Sequence, residues 1–451
     1  MNSRRNFLKG MGATSVGVVA AVVAPKIIAT TRHPSCDDMK VLGVGSAPVP
    51  TPQNDPRGFK YFGPNANAKH NTYPVHARQA VMVDFGLSAK QEEEAQELYR
   101  ECSVYDAEFE VDYYREVFAN MQANEVGFAS GSMSMDAFPA YYVNNRSGDE
   151  RQIEAWDWWT RESLDKNLMF WRDEVQKHHP EMMLCHNHAD LMTAKRLGKV
   201  GMMMDTQNSL WIGQDERQVK KYKDLGIHRC QIAYNSQTLM ATGCYDAIVS
   251  VDAGLTDWGR RMIGEMNEVG MLVDTGHSST ETLRQAIEVS ERPIICSHAG
   301  VRDWAPNSMR THNLADIKKL ADTGGVFGLV GVTSTFVDMK DMGAFKDNVS
   351  HMVEAMHKLI NEIGSDSLGF ALDQVQAMSW EELTTAPDWS KEAVAAIQLP
   401  PMPLQDQFVG MDNHSGYFNL CRGLLAKGHS HSTIKKVLGG NMIRLIKEEV
   451  K

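Results

Sequence analysis

Two histidines lying close together in the chain are the residues best placed to do chemistry. His277 closes the run Gly270-Met271-Leu272-Val273-Asp274-Thr275-Gly276, and His298 closes Pro293-Ile294-Ile295-Cys296-Ser297. Both runs are short, apolar and bounded by turn signals, as buried parallel strands are, and between them Ser278-Ser279-Thr280-Glu281 opens an amphipathic helix through Ile287 and Val289. A β-α-β unit of this kind sets both imidazoles at the C-terminal edge of neighbouring strands, where parallel β/α folds hold their active groups. A single histidine is more often a hydrogen-bonded structural residue. Two in equivalent positions, joined by a carboxylate after the last strand at Asp373, are the parts of a metal-assisted hydrolase. In such an enzyme a zinc ion lowers the pKa of bound water and polarises a carbonyl.

The elements that position these residues repeat along the chain. Strand-like runs occur at Ala80 to Asp84, Val126 to Ser130, Val200 to Asp205, Arg229 to Ala233, Met271 to Asp274, Pro293 to Ser297, Val326 to Val330 and Leu368 to Leu372. A helical stretch follows each, and eight such alternations predict a (β/α)8 barrel. Helical patterns also cover Leu87 to Met121 and Glu150 to His178, the second carrying Trp156, Trp158 and Trp159. The residues that follow the strands are Asp84 to Ser88, Gln207-Asn208, Tyr234-Asn235, His277, His298 and Asp373. The proline-rich stretch from Ser379 to Gly410 is a candidate lid.

The chain opens with an address. Ser3-Arg4-Arg5-Asn6-Phe7-Leu8-Lys9, followed by the Gly/Ala-rich run from Gly10 to Ala24, has the form of a twin-arginine signal, which predicts periplasmic export and the export machinery as a partner. Neither Ala24 nor Ala29 lies in a full small-x-small cleavage context, so both a removed leader and a retained anchor stay open. Residues 1–29 are thus read as signal, 30–78, rich in Pro, Gly and Asn, as a linker arm, and 79–451 as the barrel. At 43% hydrophobic residues the barrel has ample material for a core, and a net charge of -11 argues against nucleic acid, which requires a basic face. The seven cysteines are scattered without a C-x-x-C pair, which excludes a disulfide framework while leaving one or two bridges open in an oxidising compartment. The abundant methionines fit adaptable core filling, with Met202-Met203-Met204 continuing a strand.

Beyond these readings, several stretches resemble the membrane (renal) dipeptidase family of amidohydrolase-like metal hydrolases. They are Gly198-Lys199-Val200, Asp252-Ala253-Gly254-Leu255-Thr256, the run from Glu265-Met266-Asn267 to His277, Ser297-His298, Gly324-Gly325-Val326, and Gly439-Gly440-Asn441 with Arg444. The resemblance implies a (β/α)8 barrel in which His277 and His298 bind the second of two metals and Asp373 handles protons beside the scissile amide. It also implies an arginine after His298, at Arg310 or Arg302, that holds a substrate carboxylate, and a homodimer. Three departures accompany it. Asp84-Phe85-Gly86-Leu87-Ser88 lacks the His-x-Asp pair of the first strand, Gln207 stands for the bridging glutamate, and Tyr234 stands for the histidine after the fourth strand. A neutral amide cannot bridge two dications as a carboxylate does, so one zinc ion at most is expected, its shell completed by Gln207, Asp373, Asp84 or substrate.

Other candidates carry less. Cys185-His186-Asn187-His188-Ala189-Asp190 imitates a His-x-Asp site but stands at the wrong end of the third strand. His351 and His357 do not share the helix face of an i, i+4 ligand pair, and His429 and His431 flank a turn. The expected function is an exported dipeptidase-like hydrolase of a dipeptide or small peptide-like amide. Asp373 would pass a proton to the leaving amine, Tyr234 would donate to the oxyanion, and Asn235 would line the substrate site. Two alternatives are kept: a barrel recruited to maturing a secreted peptide metabolite of the siderophore type, and a non-catalytic binding or accessory protein.

Overall fold

The computed structural model describes residues 61–62, 82–109, 117–133, 161–176, 179–306 (save 236, 245 and 250), 308, 310–332, 335–336, 349–373, 408, 410–411 and 414–451. The signal segment, the three tryptophans of the 150s, and most of the linker arm and lid candidate lie outside these residues.

Twelve strands are described: β1 (Tyr61–Phe62), β2 (Met82–Val83), β3 (Val104–Phe109), β4 (Val126–Ser132), β5 (Met182–Cys185), β6 (Val200–Thr206), β7 (Ile227–Gln231), β8 (Leu272–Asp274), β9 (Ile295–Val301), β10 (Thr311–His312), β11 (Val326–Val330) and β12 (Leu368–Ala371). Eight of them form one path, β3-β4-β6-β7-β8-β9-β11-β12, with every neighbouring pair parallel. The two ends of the path meet. Leu372 N–H donates to Asp106 Oδ1 at 2.9 Å and Asp373 N–H donates to the Glu108 carbonyl at 3.0 Å, so the last strand is tied back to the first. This is the nearly closed eight-stranded parallel barrel expected of a (β/α)8 chain.

Helices separate the strands, and their ends follow from local chemistry. The helix Ala89–Glu101 begins at Ser88, whose side chain accepts from Gln91 N–H while the Gln91 side chain reaches back to Ser88 N–H. The helix Asp257–Val269 starts at Thr256 and stops at Gly270, whose φ of 74° is the left-handed C-cap that feeds β8. The helix Thr280–Val289 starts at Ser279, which accepts from Thr282 N–H. Each turns an apolar face inward, through Met262, Ile263 and Met266 in one case and Leu283 and Ala286 in the other.

The structure corrects the first strand. Ala80 to Asp84 supplies only the two-residue β2, which pairs antiparallel with Tyr61–Phe62 outside the barrel. The first barrel strand is β3, inside the stretch read as continuous helix from Leu87 to Met121. The physical reason lies in Val104-Tyr105-Asp106-Ala107-Glu108-Phe109, whose alternating acids disguise a strand buried from Val104 to Glu108. Likewise β9 runs past Ser297 to Val301, so His298 sits within the strand. The six described cysteines are buried and free. No helix among the described residues is long and apolar enough to cross a membrane.

Candidate active site at the barrel mouth

His277 lies in the turn after β8, and its ring is fixed on three sides. Tyr234, just after β7, stacks on it with centroids 3.9 Å apart and planes at 18°. Its Nδ1 is 2.9 Å from Asn235 Oδ1, and its Nε2 is 2.9 Å from Arg310 Nη1. An amide oxygen only accepts and a guanidinium only donates, so the proton is on Nδ1 and the Nε2 lone pair points at Arg310. Burial, Arg310 and His298 all hold the pKa of His277 well below the usual histidine value. The ring is therefore neutral.

His298 meets His277 edge-on, with ring centroids 4.8 Å apart. Its Nδ1 lies 2.7 Å from Ser297 Oγ and 3.8 Å from Glu108 Oε2. Its Nε2 lies 3.9 Å from Asp373 Oδ1 and has no hydrogen-bond partner among the described residues. Burial first, then Arg310 and Arg229, push the pKa of this histidine well down as well. The approach to His298 requires glycine at 276, where a Cβ would come within 2.8 Å of Ser297 Oγ and 3.1 Å of His298 Nδ1.

Arg310 closes the group. Its Nη1 is 2.5 Å from Asp373 Oδ2, with 14% of the arginine side chain and 4% of the aspartate side chain exposed. Burial alone would lower the arginine pKa, but Asp373 and the nearby Tyr234 and Cys244 raise it, so the guanidinium stays charged.

A second ionic group joins four strands. Arg229 of β7 is fully buried among Glu108 of β3, Asp205 of β6 and Asp274 of β8. Its Nη2 contacts Glu108 Oε2 and lies 2.8 Å from Asp205 Oδ2, and its Nε lies 3.1 Å from Asp274 Oδ2. Three carboxylates around one cation cannot all ionise at low cost. Burial, with Asp205 beside it, raises the Glu108 pKa well above the usual carboxylate range, and burial pushes Asp205 up to about 7. Burial would also lower the arginine pKa, yet Asp205, Glu108 and Asp274 together raise it. Beneath this group Asp106 accepts from Tyr417 Oη and from two backbone N–H groups, and burial still raises its pKa to about 7.

Six sequence candidates thus converge: His277, His298, Asp373, Arg310, Tyr234 and Asn235. Arg302 does not join them. Its guanidinium is spent on Thr311, with Nη2 2.9 Å from the carbonyl. Asp84 is exposed and accepts from Gly86 N–H, far from the role of a metal ligand. Gln207 is buried after β6, where its N–H donates to Ser132 Oγ. His186 packs against Gly226, the residue before β7, which confirms that the Cys185–Asp190 stretch belongs to the N-terminal end of the barrel. Asn187 there caps a helix by accepting from Asp190 N–H. Sequence reading missed Glu108, Asp205, Asp274 and Arg229; acids at alternating positions in an otherwise apolar strand were the available signal.

The sequence profile of the membrane dipeptidases, peptidase family M19, matches residues 79–394. The chain belongs to this family. Dipeptidase tcpJ of Claviceps purpurea (strain 20.1) is 24% identical over 270 residues, covering 59% of this chain and only 55% of that relative. Among solved structures, an amidohydrolase from Pseudomonas aeruginosa superposes with a TM-score of 0.64 at 22% identity, over 79% of this chain and 99% of that one. The probable dipeptidase PvdM from Pseudomonas aeruginosa gives 0.62 at 16% identity, over 81% and 99%. A metallopeptidase from Rhodobacter sphaeroides, solved with a phosphinate mimic of L-Ala-D-Ala, gives 0.59 at 15%, over 78% and 99%. At these identities the structures show a shared fold.

Membrane dipeptidases are metallopeptidases that typically bind zinc, so the donor set can be tested against that ion. Among the described residues no three His, Cys, Asp or Glu side chains are arranged to hold a metal. His277 Nδ1 is bonded to Asn235 and the Nε2 lone pair faces Arg310, which leaves this histidine no site for an ion. On the first barrel strand, β3, Glu108 is already paired with Arg229. The residues in this arrangement do not fit zinc held by His277, His298 and Gln207.

Proposed function

We propose that the chain hydrolyses a dipeptide or a similarly small peptide-like amide at the mouth of the barrel. One observation carries this reading: a neutral histidine whose Nε2 has no hydrogen-bond partner among the described residues, a carboxylate and a partly exposed guanidinium meet there from separate elements. In our reading His298 Nε2 accepts the proton of an attacking water, and Asp373 beside it passes that proton toward the leaving amine. Arg310 is the cation available to a carbonyl oxygen that gains charge, and it can equally hold a substrate carboxylate. Tyr234 keeps His277 in position by stacking and supplies a hydroxyl for the oxyanion, and Asn235 fixes the His277 tautomer. The family, and a relative of the same fold solved with a dipeptide mimic, support the substrate class.

The test is amine release from a dipeptide panel by the purified full chain. His298→Ala and Asp373→Asn should abolish turnover while Arg302→Ala retains it. Equal activity in all four proteins sinks the assignment. A second reading, a binding protein without turnover, is favoured by the closure of Arg310 onto Asp373; calorimetric binding of a dipeptide with no amine release would select it. We further propose that the chain is exported as a homodimer, on the strength of Ser3-Arg4-Arg5-Asn6-Phe7-Leu8-Lys9 and of the family resemblance. Periplasmic recovery that survives replacement of Arg4 and Arg5 by lysine, or a monomeric mass by light scattering, would contradict it.

A further inference from the structure

Two guanidinium groups, Arg229 fully buried and Arg310 partly exposed, sit among the polar side chains of this barrel mouth. Arg229 sits among Glu108, Asp205 and Asp274, and Arg310 sits between His277 and Asp373. A zinc ion on the His277 Nε2 lone pair would sit about 2.0–2.1 Å from that nitrogen. Arg310 Nη1 already lies along that lone pair at 2.9 Å, so the ion and the guanidinium exclude one another.

The arrangement of Arg310 is fixed by more than its side chain. Arg310 has φ 53° and Asp373 φ 50°, in the left-handed region that non-glycine residues rarely enter. Both are pinned there by the barrel: Gly300 N–H donates to the Arg310 carbonyl at 3.0 Å, and Asp373 N–H donates to the Glu108 carbonyl at 3.0 Å. A chance surface rotamer does not come with two strained backbones held from neighbouring strands. We infer that Arg310 is a resident cation that takes the place of a metal ion in this membrane dipeptidase site and keeps zinc off His277. The inference concerns what holds the site together and stands whether or not the chain cleaves an amide.

The test is metal content and stability of the full chain produced in zinc-supplemented medium. The wild type should hold less than about a tenth of a zinc ion per chain after desalting, and its melting temperature should be unmoved by a chelator. Arg310→Ala frees His277 Nε2 beside His298 and Asp373, and should take up about one zinc ion per chain with a rise in melting temperature that a chelator reverses. His277→Ala added to Arg310→Ala should abolish that uptake. If Arg310→Ala does not fold, Arg310→Gln, which keeps much of the length without the charge, serves in its place. A wild type that holds stoichiometric zinc and melts earlier when chelated overturns the inference, and so does a folded Arg310 variant that gains no zinc. Absence of amidase activity in any of these proteins bears only on the proposed hydrolysis.

Discussion

Arg310 and Asp373 face each other across the barrel mouth with Nη1 and Oδ2 2.5 Å apart, and both adopt a left-handed backbone. Non-glycine residues held in such conformations cost about 1–3 kcal/mol each, so the surrounding strands must hold the pair in place. The reward is a cation and a carboxylate set in fixed relation beside two neutral histidines.

The strain and the charge at Asp373 can be separated. Asp373→Gly and Asp373→Ala both remove the carboxylate, but only glycine accepts φ near 50° freely. The glycine variant should be the more stable by about 1 kcal/mol. Both should lose activity by about 10²–10⁴, the range expected for a positioned proton-transfer group. Equal denaturant midpoints for the two would show that the backbone is not strained there.

Arg229 is predicted to matter most for folding. Arg229→Met strands Glu108, Asp205 and Asp274 together in the interior and should cost about 3–5 kcal/mol. Glu108→Gln should cost less than Arg229→Met, because burial and Asp205 already favour the protonated form of that carboxyl. Urea unfolding of the two variants beside the wild type measures both, and a reversed order would refute the ionic picture of this cluster.

Asp106 gives the chain a pH-dependent term. Burial lifts its carboxyl to about 7, whereas an unfolded aspartate titrates near 3.9. The native state therefore keeps a proton that the unfolded state releases, so the contribution is full below about pH 4, declines as pH rises toward about 7, and is gone above it. Asp106→Asn is neutral throughout and should remove this decline. Urea midpoints between pH 4.5 and about 8 should fall more steeply for the wild type than for the variant; parallel curves would contradict it.

Gly276→Ala tests the close approach beside His298. The new methyl would press on Ser297 Oγ and His298 Nδ1, so those two side chains must shift. A loss of about 1–3 kcal/mol in stability is expected, together with a fall in kcat. An unchanged kcat would mean that the position of His298 is not critical.

Much of this molecule could be read from its residues, and the exceptions share one cause. The strands at Val126, Val200, Val326 and Leu368 showed themselves because apolar runs bounded by turns mark strands buried on both faces. β3 stayed hidden because Asp106 and Glu108 make it polar, and what pays for those acids is Arg229, far away in sequence. The gathering of His277, His298 and Asp373 was legible from strand ends. The partnership of Arg310 with Asp373 and His277 was not, since an arginine in a loop looks the same whether it awaits a substrate carboxylate or holds one of its own. Arg302, the neighbouring candidate, differs only in that Thr311 is close enough to occupy it.

Hydrolysis at this barrel mouth is tested most sharply by amine release from a dipeptide panel in chelator-treated buffer by the wild type and by Asp373→Asn. Turnover by the wild type should be unchanged by the chelator and lost in the variant. Release that appears only when zinc is added, or no release from any dipeptide, would contradict it.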